Sequence, residues 1–270
     1  MGRMILHVYG VQKGEVMSKR KSQFTIKDLG ALCILGLAIY LLQLVFDYWY
    51  IILVIPAMIL AGWAQYKVKS TYNKYSKVLN TRGITGAYAA QAVLTHYGIT
   101  DVRIEQTSGK LTDHYDPKAK VIRLSEGVYN ATSIAAVGIA CHEAGHAAQH
   151  AQDYVPIKIR TALVPVCNIG STIGIPLALI GLFIGFEPLI TIGLVLYGAI
   201  FAFQLATLPV EFNASRRAIS VIEETHLLYE DEVGSARKVL SAAAMTYVAS
   251  MIVALANLIR LVLRFSNRRR

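Results

Sequence analysis

The stretch Cys141-His142-Glu143-Ala144-Gly145-His146-Ala147-Ala148-Gln149-His150 decides how the rest of the chain is read. It contains His-Glu-x-x-His. On an α-helix two residues four apart share a face about one turn from each other, so both imidazoles can reach a single zinc ion. Glu143 then projects beside the metal, where a carboxylate can take a proton from a zinc-bound water. Just upstream, Thr132 or Ser133 stands where a helix N-cap belongs, and Ile134 to Cys141 is apolar all round. The pattern predicts a buried core helix whose last turns carry Glu143 and three histidines.

A catalytic zinc usually has three protein ligands and one open position, and the motif supplies two. His150 continues the four-residue spacing, but it stands about 12 Å along the axis from His142. Ligand nitrogens must lie about 2.1 Å from the metal, so His150 is set aside. The longer motif with a third histidine ten residues after the first fails as well, because Gln149 and Gln152 replace its glycine and histidine. A distant carboxylate remains. Glu211 is the candidate, because a short helix starting at the end of an apolar hairpin would bring it against the motif helix.

Composition sets the surroundings. The chain has 270 residues, 54% hydrophobic and 16% charged, against roughly 25% charged in an ordinary soluble domain. A mainly α, multi-pass helical membrane protein with a small cytoplasmic α+β zincin-like catalytic domain is the expected fold class. The net charge of +10 does not indicate a nucleic-acid partner, because the basic residues crowd the ends of apolar runs instead of interleaving with aromatics. They read as topology signals and contacts to the lipid bilayer. Cys33, Cys141 and Cys167 lack metal-binding or redox spacing, which suits inert thiols in a reducing compartment. No small-residue cleavage site follows a short apolar core, so no removable signal is expected.

Six segments follow in order. Residues 1–28 form a basic lead-in, and 29–66 hold two apolar runs interrupted by Asp47, read as a transmembrane hairpin with Pro56 kinking its second helix. Residues 67–160 form the catalytic domain, opened by the basic run Lys67 to Lys77 that places it in the cytoplasm by the positive-inside rule. Within it, a helix from Thr85 ends at Tyr97-Gly98, and Val102 to Thr107 and Val121 to Ser125 are strands joined by a polar loop, Ser108 to Lys120. A strand beside the metal offers its edge to an extended peptide. Residues 161–210 read as a second hairpin turning at Glu187-Pro188, 211–240 as a polar helical segment carrying Glu211, and 241–270 as a helix with a basic tail. That last helix either crosses the membrane or lies in the interface; the sequence leaves both open.

From about Tyr48 onward the chain resembles the YugP-type membrane zinc metallopeptidases of bacteria, and more distantly the HtpX-type proteases. The resemblance is carried by Gln65 to Lys77, Asp113-His-Tyr-Asp-Pro117, Val121 to Ser125, the zinc motif, and Leu208-Pro-Val-Glu-Phe-Asn-Ala-Ser-Arg-Arg-Ala218. It implies a cytoplasm-facing gluzincin-like endopeptidase with one zinc ion on His142, His146 and Glu211. Protein or peptide substrates, membrane or membrane-proximal, are implied with it. The chain departs from the family in its run before Tyr48 and in Asn213, where the family tends to have Asp. An amide oxygen there can still orient a ligand histidine. Glu143 is the expected general base, and His114, Tyr115 and Arg216 are candidate donors to the tetrahedral oxyanion. A non-catalytic scaffold retaining the fold is the alternative, and the intact Glu143 argues against it. An intramembrane protease would place the motif within a span and draw its third ligand as Asp; neither feature is visible.

Overall fold

The computed structural model describes residues 48–266. Residues 1–28, and the expected span 29–46, lie outside the described residues.

The chain enters through a π-helical turn, Tyr50–Val54, that runs directly into α1, Ile55–Tyr75. Pro56 stands at the junction of the π-helical turn and α1, where it cannot donate a backbone bond to the preceding turn. The expected disturbance therefore takes the form of a widened turn just before the proline. Helix α2, Gly86–His96, is capped by Thr85, whose hydroxyl accepts from the Tyr88 N–H, and it ends before Gly98 at φ +67°. Three strands follow: β1 Arg103–Thr107, β2 His114–Asp116 and β3 Val121–Ser125. β3 is central, parallel to β1 and antiparallel to β2, with Ile104 opposite Ile122 and Tyr115 opposite Ile122 on the other side. The segment 108–120 is thus not wholly loop. Its three-residue strand is too short to show alternation in sequence, and it forms because β3 offers an unpaired edge.

After the single turn α3, Glu126–Tyr129, comes the motif helix α4, Ile134–Ala151. Ser133 is its N-cap, accepting from the Ala136 N–H. Twelve of its residues are buried, in keeping with its all-round apolar first turns. Around it lies the main core: Val93 and Leu94 of α2, Ile122 and Leu124 of β3, and Val221 and Ile222 from a later helix.

The second hairpin is longer than its apolar runs suggest. Its first arm consists of α5, Val155–Ile169, a π-helical turn Gly170–Gly174, and α6, Ile175–Ile184. Gly185 closes it at φ +71°, and Glu187-Pro188 form the first turn of α7 instead of a loop. The arms touch backbone to backbone: a Cβ on Gly170 would overlap the Leu196 carbonyl oxygen. Such contacts hold helices together where no water drives them.

α7, Glu187–Glu224, does not stop at Val210. The polar segment expected to begin a new helix at Glu211 is a continuation of the membrane helix, with Pro209 inside it. Backbone hydrogen bonds are indifferent to the change from apolar to polar side chains, and one interior proline deletes a single bond. The expected 211–240 unit is therefore the end of α7, a turn around His226 at φ 51°, and the start of α8, Glu230–Ser266. Glu232 fastens this turn, accepting from the Thr81 and Tyr229 N–H groups. α8 packs along both α1 and α7.

Four helical stretches, Tyr50–Tyr75, Val155–Ile184, Glu187–Glu224 and Glu230–Leu263, are long and apolar enough to cross a membrane. Large apolar side chains such as Ile59, Phe183 and Val195 project outward from three of them, as expected of surfaces solvated by lipid. Among the described residues the protein is thus mainly helical, with one small sheet.

Candidate metal centre

α4 supplies two imidazoles one turn apart, with ring centroids 4.7 Å from each other. α7 crosses α4 closely enough that a Cβ on Gly145 would lie 2.8 Å from the Ala214 carbonyl oxygen. That approach sets Glu211 against the motif. Its Oε2 lies 3.4 Å from His142 Nε2 and 3.6 Å from His146 Nε2. One ligand atom from each residue falls within 4.8 Å of the others. Tetrahedral ligands about 2.1 Å from a shared zinc stand about 3.4 Å from each other. The observed pair distances match that geometry.

The polar bookkeeping points the same way. Glu211 is 2% exposed, and its Oε2 is buried with no hydrogen-bond partner among the described residues. A buried carboxylate oxygen left without a partner is costly, and a divalent cation is the group that would satisfy it. Burial opposes a charge on His146, yet the carboxylates of Glu211 and Glu143 outweigh it and raise the imidazole above its ordinary range. The same negative potential favours a cation between these side chains.

Both histidines are oriented from behind. His142 Nδ1 lies 3.1 Å from Ser215 Oγ on α7. His146 Nδ1 lies 3.0 Å from Gln149 Oε1. The Gln149 amide nitrogen donates to the Val210 carbonyl (2.7 Å) and to Asn213 Oδ1 (3.0 Å), so its oxygen must face His146 as acceptor. Nδ1 is then the donor on His146, and its Nε2 is left as a lone pair facing Glu211. Asn213 stands one residue further out than expected, accepting from Gln149 and from Arg217 Nε at 2.8 Å.

Two more residues converge on Glu211. Arg160 of α5 places Nη1 3.8 Å from Glu211 Oε1. Tyr247 of α8 has the carboxylates of both Glu211 and Glu143 as electrostatic neighbours. Glu143 itself is half-buried on α4. Neither Arg160 nor Tyr247 belongs to a local motif; only the folded packing of three helices reveals them.

The other sequence candidates lie elsewhere. His114 is exposed on β2, with Nδ1 2.8 Å from the Thr112 carbonyl and Nε2 3.4 Å from Arg123. Tyr115 packs its ring 5.6 Å from that of His150. Burial, then the neighbouring His146 and Arg160, lower the His150 pKa and keep its ring neutral near pH 7. Arg216 lines a cavity between α7 and α8. Cys141 is fully buried, burial pushes its thiol well above the usual range, and it is inert as expected.

Residues 50–266 match the family model described as "putative neutral zinc metallopeptidase". The chain belongs to this family. A relative described as "Putative membrane protease YugP", from Bacillus subtilis (strain 168), is 47% identical over 220 residues, covering 82% of this chain and 98% of that relative. No solved structure matches the chain. Membership of a zinc metallopeptidase family agrees with a cluster whose donor set, two imidazoles and a carboxylate, is one that zinc accepts.

Proposed function

We propose that the protein is a membrane-embedded zinc endopeptidase that hydrolyses membrane or membrane-proximal proteins on the cytoplasmic side. The observation that carries this reading is the orphaned Glu211 Oε2 facing the two Nε2 atoms, with Glu143 beside them. His142, His146 and Glu211 hold the metal. Zinc, when bound, acidifies a coordinated water and polarises a peptide carbonyl. Glu143 accepts the proton from the attacking water on its carboxylate and delivers it to the leaving amine nitrogen. Tyr247, which neighbours both Glu211 and Glu143, donates to the negative charge that develops on the carbonyl oxygen, and Arg160 adds positive charge to the same pocket. Ser215 and Gln149 hold the two imidazoles with Nε2 forward. The outer edge of β2, which packs on α4, receives an extended substrate as a further strand. The basic run Lys67 to Lys77 at the end of α1 supports the cytoplasmic orientation.

The test pairs two variants. Glu143→Gln retains about one zinc and loses cleavage of an unfolded substrate such as casein, whereas Glu211→Gln loses the metal itself. Equal cleavage by wild type and Glu143→Gln would refute the mechanism, and no cleavage by the zinc-loaded wild type would favour a scaffold role.

A further inference from the structure

Outside the metal centre, α8 presents a stripe formed by Arg237, Ser241 and Met245, four residues apart along one face. This stripe lines two adjoining cavities of about 630 and 620 Å³. On one side the wall is α1, through Trp63, Lys67, Ser70 and Lys74. On the other it is α7, through Phe212, Ser215 and Arg216. α8 is therefore the floor of a single groove between two membrane helices.

The groove is polarised along its length. α1 and α7 run the same way and leave their apolar stretches at Tyr66 and Val210; α8 runs back and enters its own after Lys238. Trp63, Phe212 and Met245 accordingly line the apolar end, and Lys67, Lys74, Arg237 and Lys238 the other. Among the described lining residues Glu223 is the sole carboxylate, and it is already engaged by Arg237 at 2.8 Å. No ion pair to Lys67, Lys74 or Lys238 exists among the described residues. Basic side chains and hydroxyls above an apolar slot, at the level where three helices leave the bilayer, complement a molecule that is anionic at one end and apolar at the other.

The groove is not the front of the metal site. Ser215 on its wall meets Nδ1 of His142, the ring atom opposite the Nε2 that faces Glu211. An occupant would thus sit behind the imidazole, away from the atoms that gather round the metal.

We infer that this groove binds an anionic phospholipid, its phosphate among Lys67, Lys74 and Lys238 and its acyl chains running past Trp63 and Met245 toward the membrane. Each lysine at such a surface changes affinity about fivefold, so replacing all three weakens binding about a hundredfold.

The full chain purified in detergent is heated with dioctanoyl phosphatidylglycerol, with dioctanoyl phosphatidylcholine, or with inorganic phosphate. At about ten times its dissociation constant the anionic lipid raises the melting temperature by about 3–6 °C. The choline lipid and phosphate leave it unmoved. Lys67→Gln/Lys74→Gln/Lys238→Gln, all exposed positions, abolishes the shift while keeping the unliganded melting temperature and circular dichroism of the parent. A control pair on the sheet side, Lys110→Gln/Lys118→Gln, retains it. Equal shifts with both lipids, a full shift with phosphate alone, no shift at all, or a shift that survives the triple substitution would each overturn the inference.

Discussion

Replacing Gly145 by Ala sets two effects against each other. Helix propensity alone favours Ala over Gly by about 1 kcal/mol in a helix interior. Packing opposes it: the new Cβ would stand 2.8 Å from the Ala214 carbonyl oxygen and 3.3 Å from its carbon and Cα. Carbon contacts settle at about 3.5 Å, so α4 and α7 must part by roughly 0.5–0.7 Å. Neither neighbour is a flexible side-chain tip; both are helix backbone. Overpacking of this kind costs about 1–3 kcal/mol, which outweighs the propensity gain over most of that range. The larger consequence falls on the metal. His142 and His146 flank position 145 on one helix, and Glu211 and Ser215 flank Ala214 on the other, while metal–ligand distances tolerate only about 0.2 Å. Gly145→Ala should therefore weaken zinc binding by about tenfold or more, read by competition with a fluorescent chelator, with the helical circular dichroism intact. Gly138→Ala on the same helix is the control, because its Cβ would come no nearer than 3.6 Å to Ala236, an ordinary contact. Unchanged zinc affinity together with a raised melting temperature in Gly145→Ala would refute the close crossing of α4 and α7 as the device that assembles the site.

Two further substitutions separate holding the metal from using it. Tyr247→Phe should keep full zinc content and KM while lowering kcat about a hundredfold, the usual loss for one donor to a developing oxyanion; an unchanged kcat removes Tyr247 from the reaction. Gln149→Ala removes the acceptor behind His146 and should lower zinc affinity about 10–100-fold, as loss of such a partner typically does; a zinc titration matching wild type would show that the ring needs no such support.

What could be read before folding divides along physical lines. The motif helix, its Ser133 cap and the Thr85–Gly98 helix are legible because caps, glycine stops and 3.6-residue periodicity act within a few residues. β1 and β3 are legible for the same reason. Glu211 is reachable as a candidate only because two histidines leave a ligand missing. The length of α7 is not legible, since a change of composition at Val210-Glu211 beside Pro209 looks like a boundary although the helix runs through it. Gln149 reads in sequence as the wrong residue for a longer zinc motif; in space its amide ties His146 to Val210 and Asn213. Arg160 and Tyr247 carry no local sign at all. They reach Glu211 from helices 51 and 36 residues away in the chain, and only helix packing brings them together.

The unbroken course of α7 gives the bilayer a grip on the chemistry. From Leu189 to Glu211 the helix is about 33 Å long, and although Pro209 removes one backbone bond, the helix is continuous from its apolar stretch to the carboxylate. A membrane whose hydrocarbon thickness does not suit α7 is accommodated by tilt. A tilt of only about 3° about the distal end swings the carboxylate by about 2 Å, several times what a coordination shell tolerates. Unless α4 leans with it, the two imidazoles and Glu211 fall out of register. On the proposed function, bilayer thickness would thus act directly on the geometry of the candidate metal centre.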